Sequence, residues 1–170
     1  MPPRIIISRL NLNGYKSFPD KTDIRFDPGV SIVVGPNGCG KSNVCEAVAW
    51  VLGSQSPKEF RTQAMADVIF AGTRKRKALG LAEVSITFYS GDSSLPGAAQ
   101  EMEVSRRVFQ DGGGEYRIDG KVVRLKDLLD LLGDTGFNYS SYSIISQGQV
   151  EAFVQMRGTE RRQLIEEAAG

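Results

Sequence analysis

The segment Gly35-Pro36-Asn37-Gly38-Cys39-Gly40-Lys41-Ser42 fits the spacing G-x-x-x-x-G-K-[ST] at every position. Such a loop constrains the fold around it. Its glycines let the backbone turn so tightly that successive N–H groups converge on one anion. The lysine brings a full positive charge to the β- and γ-phosphates, and the serine offers a hydroxyl to Mg²⁺. The loop works only if a strand delivers it and a helix leaves it, so that the positive end of the helix dipole faces the phosphates. A nucleoside triphosphate is the ligand this chemistry implies.

The flanks match that requirement. Val30-Ser31-Ile32-Val33-Val34 is apolar and β-branched, bounded by Pro28-Gly29 and Gly35, and reads as a buried parallel strand. After the loop, Val44, Ala47, Val48 and Val51 recur on one helical face, and Gly53 ends the pattern. Elsewhere alternation dominates. Ile5 to Asn13 and Thr22 to Asp27 read as half-exposed strands joined by Gly14 to Lys21. Residues 54 to 67 read as irregular or partly helical, followed by the apolar segment Asp67-Val68-Ile69-Phe70. Ala82 to Tyr89 places Val84, Ile86 and Phe88 on one face. Glu101 to Phe109 and Glu115 to Ile118 pair around Gly112-Gly113-Gly114, and Asp119-Gly120 is a tight-hairpin signal into Lys121-Val122-Val123. Ser90 to Gln100 reads as a solvated hairpin loop. Leu125, Leu128, Leu129 and Leu132 mark a helix expected to stop at Gly133. Tyr142 to Ile145 is a short strand candidate, and Thr159 a candidate N-cap for a charged helix over Thr159 to Ala169. The outline is α/β, a mixed phosphate-binding unit layered beside an antiparallel sheet. Its many hairpins disfavour a simple βαβαβ chain.

Composition narrows the function classes. The 170 residues suffice for one well-buried core, and a hydrophobic share of 41% marks a globular chain. A net charge of +1 means that any contact with nucleic acid must come from a local patch. The densest basic run, Arg74-Lys75-Arg76-Lys77, is either such a patch or a solvated turn. The N-terminus lacks the apolar stretch of a signal peptide, and no run approaches the ~20 apolar residues of a membrane span. Cys39 and Cys45 read as free thiols, and a cytoplasmic location is expected. The chain has no histidine, which removes the commonest acid–base residue and metal ligand.

Several short segments, in order, resemble the structural maintenance of chromosomes (SMC) family. They are Gly14-Tyr15-Lys16-Ser17-Phe18, the loop with Asn43, Ala49-Trp50-Val51-Leu52-Gly53, and Asp67 to Gly72. Leu81 to Val84, Ser105 to Val108, Arg124 to Leu128, Ser143 to Gly148 and Glu166 to Gly170 continue the register. Together they span essentially the whole chain, and the bacterial pattern fits best. The resemblance implies a P-loop NTPase of the ABC-type ATPase head, and specifically its N-terminal lobe over residues 1–158. Residues 159–170 would begin a helix leading into a coiled coil. The signature motif and the aspartate–glutamate pair of the second nucleotide motif are not in this sequence, so the C-terminal half of the head and a second head would supply the glutamate base and the signature serine.

The same resemblance assigns roles. ATP and Mg²⁺ would be the cofactors, with Gly35, Pro36, Asn37, Gly38, Cys39, Gly40, Lys41, Ser42 and Asn43 around the nucleotide. Ser42 and Gln147 would be the Mg²⁺ ligands, and Lys41 and Gln147 the groups closest to the chemistry. Lys16 would approach the base and phosphates. Arg61 would be the R-loop arginine, although Thr62-Gln63-Ala64 departs from the family pattern there. Cys39 stands where the family usually has serine; its thiol is either reactive in a positive loop or an inert small side chain. Expected partners are the C-terminal half, a second SMC head, a kleisin subunit and DNA, with no membrane, in a nucleoid-associated ATPase. A related DNA-repair ABC ATPase head, or an assembly module that binds nucleotide without turnover, are the alternatives.

Overall fold

The computed structural model describes residues 5–91, 100–134, 157–159 and 162, with the side chains of Lys58, Glu59 and Asp134 left aside. Residues 1–138 and 139–170 form two compact units. The alternating segments become strands: β1 (Ile5–Asn13), β2 (Thr22–Arg25), β3 (Leu81–Ser90), β4 (Glu101–Phe109), β5 (Gly114–Ile118) and β6 (Lys121–Val123). They form one six-stranded sheet in the order β2-β1-β3-β4-β5-β6, and each neighbouring pair is antiparallel. The register slips once, between Ile7 and Arg9 on β1.

Because side chains alternate across a strand, this register sorts the sheet into two faces. Leu10 and Leu12 lie opposite Ile86 and Val84, Ile86 lies opposite Val104, and all are buried. The other face is polar and laced with ion pairs. Arg107 bonds Glu83 at 2.6 Å, and Arg117 bonds Glu115 at 2.6 Å. The β5–β6 hairpin turns at Asp119 (φ 47) and Gly120 (φ 77), the two left-handed residues that its two-residue loop requires.

Helix α1 (Lys41–Val51) packs over β3 and β4, burying Val44, Ala47, Ala49, Trp50 and Val51. The periodic pattern found Val44, Ala47 and Val51; Val48 is only half-buried, and Trp50 carries the contact instead. Helix α2 (Leu125–Asp134) lies against Gly53. A Cβ at Gly53 would sit 2.9 Å from Leu129 Cδ2, and its φ of +112° is open only to glycine. Residues 54–68 contain two 3₁₀ turns, Pro57–Phe60 and Met65–Val68, in keeping with an irregular or partly helical stretch.

One buried charge joins sheet to helix. Arg106 on β4 occupies a core-facing position between Val104 and Val108 and is 6% exposed. Its Nη1 donates to Trp50 O at 2.8 Å and Ser54 O at 2.6 Å. The guanidinium also stacks 4.7 Å from the Trp50 ring centroid and 4.8 Å from that of Tyr116. It therefore satisfies carbonyls at the C-terminal end of α1, where the helix dipole is negative. Burial holds its pKa below the usual arginine value.

Three expectations are corrected. Val30–Val34 is not a buried strand: Val30 is 93% exposed, Ile32 79% and Val34 82%. Among the described residues no strand runs alongside it, so its backbone has no ladder to join and its side chains no sheet to cover. Helix α2 does not stop at Gly133 but includes it and Asp134, because an isolated glycine weakens a helix without ending it. Gly158 and Thr159 are both helical, so the helix begins before Thr159 rather than capping there. Tyr142 to Ile145 and Gln147 lie outside the described residues, as do the central residues of the Ser90 to Gln100 loop.

Two outcomes follow. Replacing Arg106 with methionine removes its hydrogen bonds to two carbonyls and both ring contacts. We expect a loss of about 3 kcal/mol in urea unfolding, whereas a surface change such as Lys121→Met stays within about 0.5 kcal/mol. Tyr15 is fully buried, with its ring 5.4 Å from Trp50, and its hydroxyl has no hydrogen-bond partner among the described residues. Burial, with Glu46 nearby, pushes its pKa far above the usual value, and burial raises Tyr116 too. The folded chain thus holds these protons after the unfolded chain has lost them, so stability present below pH ~10 falls as pH rises beyond it. Tyr15→Phe should move that alkaline unfolding upward and add up to about 1 kcal/mol at neutral pH, read by melting across pH 8–12.

Candidate nucleotide site

The phosphate loop ends in a glycine that nothing else could replace. Gly40 caps α1 at φ 99°, in the left-handed region, and a Cβ there would collide with Ser17 Oγ. Gly38 is left-handed as well, at φ 82°. The turn closes through Asn43 N donating to Gly40 O at 2.9 Å. No side chain caps the N-terminus of α1 and no acidic residue stands in its first turn. The positive end of its dipole therefore has no side chain of its own sequence to neutralise it.

The polar side chains gather at that end. Lys41 Nζ donates to Gly35 O and Pro36 O at 2.7 Å each, so the ammonium lies folded over the mouth of the loop. Ser42 is exposed in the first turn, beside Lys41, with its hydroxyl accessible. Among the described residues no cluster of three or more His, Cys, Asp or Glu could cage a metal. The Cys39 and Cys45 thiols are free and exposed.

A second layer braces this loop. Asn43 Nδ2 donates to Ser17 Oγ at 2.9 Å, tying α1 to the Gly14–Phe18 segment. Lys16 has φ 46°, and its N–H donates to Val68 O at 2.7 Å. Its ammonium turns inward, donating to the Glu46 carboxylate and to Phe60 O, and the side chain is only 13% exposed. Arg61 follows Phe60 with φ 55°; its Nε lies 3.3 Å from the other Glu46 oxygen and its side chain is 65% exposed. Glu46 is thus the hub that sequence reading overlooked. The available signal was that it is the sole acid of α1.

Other candidates stand apart. In the basic run, Arg76 forms a two-point ion pair with Asp20, its Nη1 bonding Oδ2 at 2.6 Å, and this holds the Asp20 carboxyl below its usual range. Arg74, Lys75 and Lys77 are exposed. A hollow of about 350 Å³ opens on the sheet, lined by Ser8, Arg9, Arg25, Glu101 and Asp119 among others. It has mixed charge and contains no residue of the phosphate loop, so the chemistry lies elsewhere. Gln147 falls outside the described residues.

A glycine-built turn, an uncapped helix start, a lysine and a serine on one loop, all carried by a helix backed by an antiparallel sheet, define a P-loop lobe of the ABC ATPase head class. Comparisons agree. Residues 6–158 match the RecF/RecN/SMC N-terminal domain. The chain is 48% identical over 164 residues to the chromosome partition protein Smc of Mycolicibacterium paratuberculosis, covering 96% of this chain and 14% of that protein. It is 45% identical over 166 residues to the Bacillus subtilis protein of the same name, again covering 14% of it. The Smc head of Pyrococcus furiosus, solved with an extended coiled coil and bound to the C-terminal domain of ScpA, superposes with a TM-score of 0.90 at 36% identity. That match covers 98% of this chain and 42% of that one. A structure from work on ATP-driven dimerization and DNA-stimulated activation of SMC ATPases gives 0.87 at 37% identity, covering 94% and 97%. RecF structures, at 19% identity and a TM-score of 0.57, share the fold. The chain belongs to the SMC family.

Gly40→Ala tests the loop's geometry. Strain at a left-handed position plus the clash with Ser17 should lower triphosphate affinity at least tenfold while costing about 1–2 kcal/mol of stability. Gly112→Ala, also left-handed (φ 87°) but with open space around it, should cost a similar amount of stability and leave affinity unchanged.

Proposed function

We propose that this chain is the ATP-binding N-terminal lobe of an SMC head, residues 1–158, with residues 159–170 starting a helix toward a coiled coil. The protein it serves would be a chromosome-partitioning ATPase. The observation that carries this reading is the α1 N-terminus: uncapped, free of acid, and overlaid by the Lys41 ammonium. A polyanion is the ligand that arrangement suits best.

In this reading the loop N–H groups from Asn37 to Ser42 cradle the phosphates, and Lys41 neutralises charge that builds on them during transfer. Ser42 and Gln147 would hold Mg²⁺, which would supply charge neutralisation at the phosphates, and Gln147 would orient the attacking water. Phosphoryl transfer needs mainly positioning and charge neutralisation, which these groups provide. The base that activates water would come from the C-terminal half of the head, and a signature serine from a second head. The chain spans 14% of the length of the relatives compared. The exposed Val30–Val34 segment supports the same reading: an apolar stretch leading into the loop is covered if strands from the other half flank it. The Pyrococcus furiosus head binds a ScpA domain, which supports a kleisin partner here. DNA contact would fall to exposed cations such as Arg74, Lys75 and Lys77.

Two substitutions in the full-length protein test the assignment. Lys41→Ala should abolish ATP binding. Gln147→Ala should leave binding within about threefold and cut turnover on the order of a hundredfold, as expected when a group acts mainly in the transition state. Retention of ATP binding by the Lys41 variant would overturn the reading.

A further inference from the structure

We propose that Glu46 is a positioning residue that, through a buried staple with Lys16, aims Arg61 at the bound triphosphate. The proposal rests on the phosphate-loop reading above and adds a residue to it.

The geometry divides the Glu46 carboxylate. Oε2 accepts from Lys16 Nζ, and Oε1 lies 3.3 Å from Arg61 Nε. Glu46 is 12% exposed and Lys16 13%, so this pair is shielded from water and held more firmly than a surface pair. The Lys16 ammonium also bonds Phe60 O, the carbonyl next to Arg61 in the chain. The Phe60 ring is fully buried. On the other side, Thr62 N and Thr62 Oγ1 both donate to Pro57 O at 3.0 Å. Arg61 is therefore fixed on both flanks, at φ 55°, a conformation that a non-glycine residue keeps only when its surroundings impose it.

The two cations play different parts. Lys16 spends its charge internally, on one carboxylate and one carbonyl. Arg61 is 65% exposed and its closest approach to Glu46 is through Nε, so the fork of the guanidinium belongs to a largely solvent-exposed side chain. That fork suits phosphate oxygens, which it can meet with two parallel N–H bonds. Glu46 and the phosphate loop share one rigid element: at 1.5 Å per residue, Glu46 stands about 7.5 Å along α1 from Lys41. A carboxylate this near a polyanion site repels the ligand. Its presence is accounted for by what it holds.

The sign of the effect separates this account from simple electrostatics. Glu46→Gln removes a negative charge near the phosphates, so charge alone predicts tighter ATP binding. Positioning predicts weaker binding. Mg²⁺–ATP affinity would be measured in the full-length protein for Glu46→Gln, Arg61→Ala, the double variant, and Lys41→Ala. We expect Glu46→Gln to weaken binding on the order of tenfold, the scale of one charge-assisted contact. Arg61→Ala should match it, and the double variant should be no weaker than Arg61→Ala. Lys16→Met should behave as Glu46→Gln does, and it carries the test if the glutamine variant does not fold. Unchanged or tighter binding by Glu46→Gln, or additive losses in the double variant, would overturn the proposal. ATP binding retained by Lys41→Ala would instead overturn the site assignment beneath it.

Discussion

The phosphate loop is only as well placed as helix α1, and α1 is anchored at its far end by a single guanidinium. Arg106 reaches from β4, the fourth strand of the sheet order, to the carbonyls of Trp50 and Ser54, stacked between Trp50 and Tyr116. A buried charge is costly unless its donors are used. Here they are used on the carbonyls of Trp50, near the end of α1, and of Ser54, just beyond it. Sheet and helix thus solve each other's problem. The orientation of α1 relative to β3 and β4 is set by hydrogen-bond geometry as well as by apolar packing. An apolar residue at position 106 could fill space, but it could not fix the helix end.

At the opposite end of α1 the logic reverses. The first-turn amides are left without a capping side chain, and the residues that approach them are glycines, a lysine and a serine. Strain concentrates nearby: Lys16 and Arg61 both hold left-handed backbones, and both converge on Glu46. Stable native folds keep such conformations where the surroundings over-determine them, which is common at functional sites. One helix therefore carries a satisfied end that anchors it and an unsatisfied end that waits for an anion.

Much of this was readable from residue order. The loop spacing named Gly40, Lys41 and Ser42, and alternation located β1, β3 and β4 because each buries one face only. Asp119-Gly120 announced its hairpin through backbone preference alone. What failed was what depends on neighbours. The β-branched run Val30–Val34 has the composition of a buried strand, but burial needs adjacent strands, and composition cannot say whether the same stretch of chain supplies them. Glu46 escaped notice because its two partners, Lys16 and Arg61, lie 30 residues before it and 15 after it, and only the tertiary fold brings them to one carboxylate. The inward turn of the Lys16 ammonium was hidden for the same reason.

The central claim is that this chain builds one side of a nucleotide site and that other polypeptide segments complete it. The edge left open is Val30–Val34, whose backbone joins no ladder among the described residues although it feeds straight into the phosphate loop. Amide hydrogen exchange over residues 30–34 tests this most directly, comparing the chain alone with the full-length protein. The account predicts rapid exchange in the isolated chain and protection by a factor of about a hundred or more in the full-length protein, as strand pairing requires. Equally rapid exchange in both would contradict it, because the strand leading into the site would then have no partner anywhere in the protein.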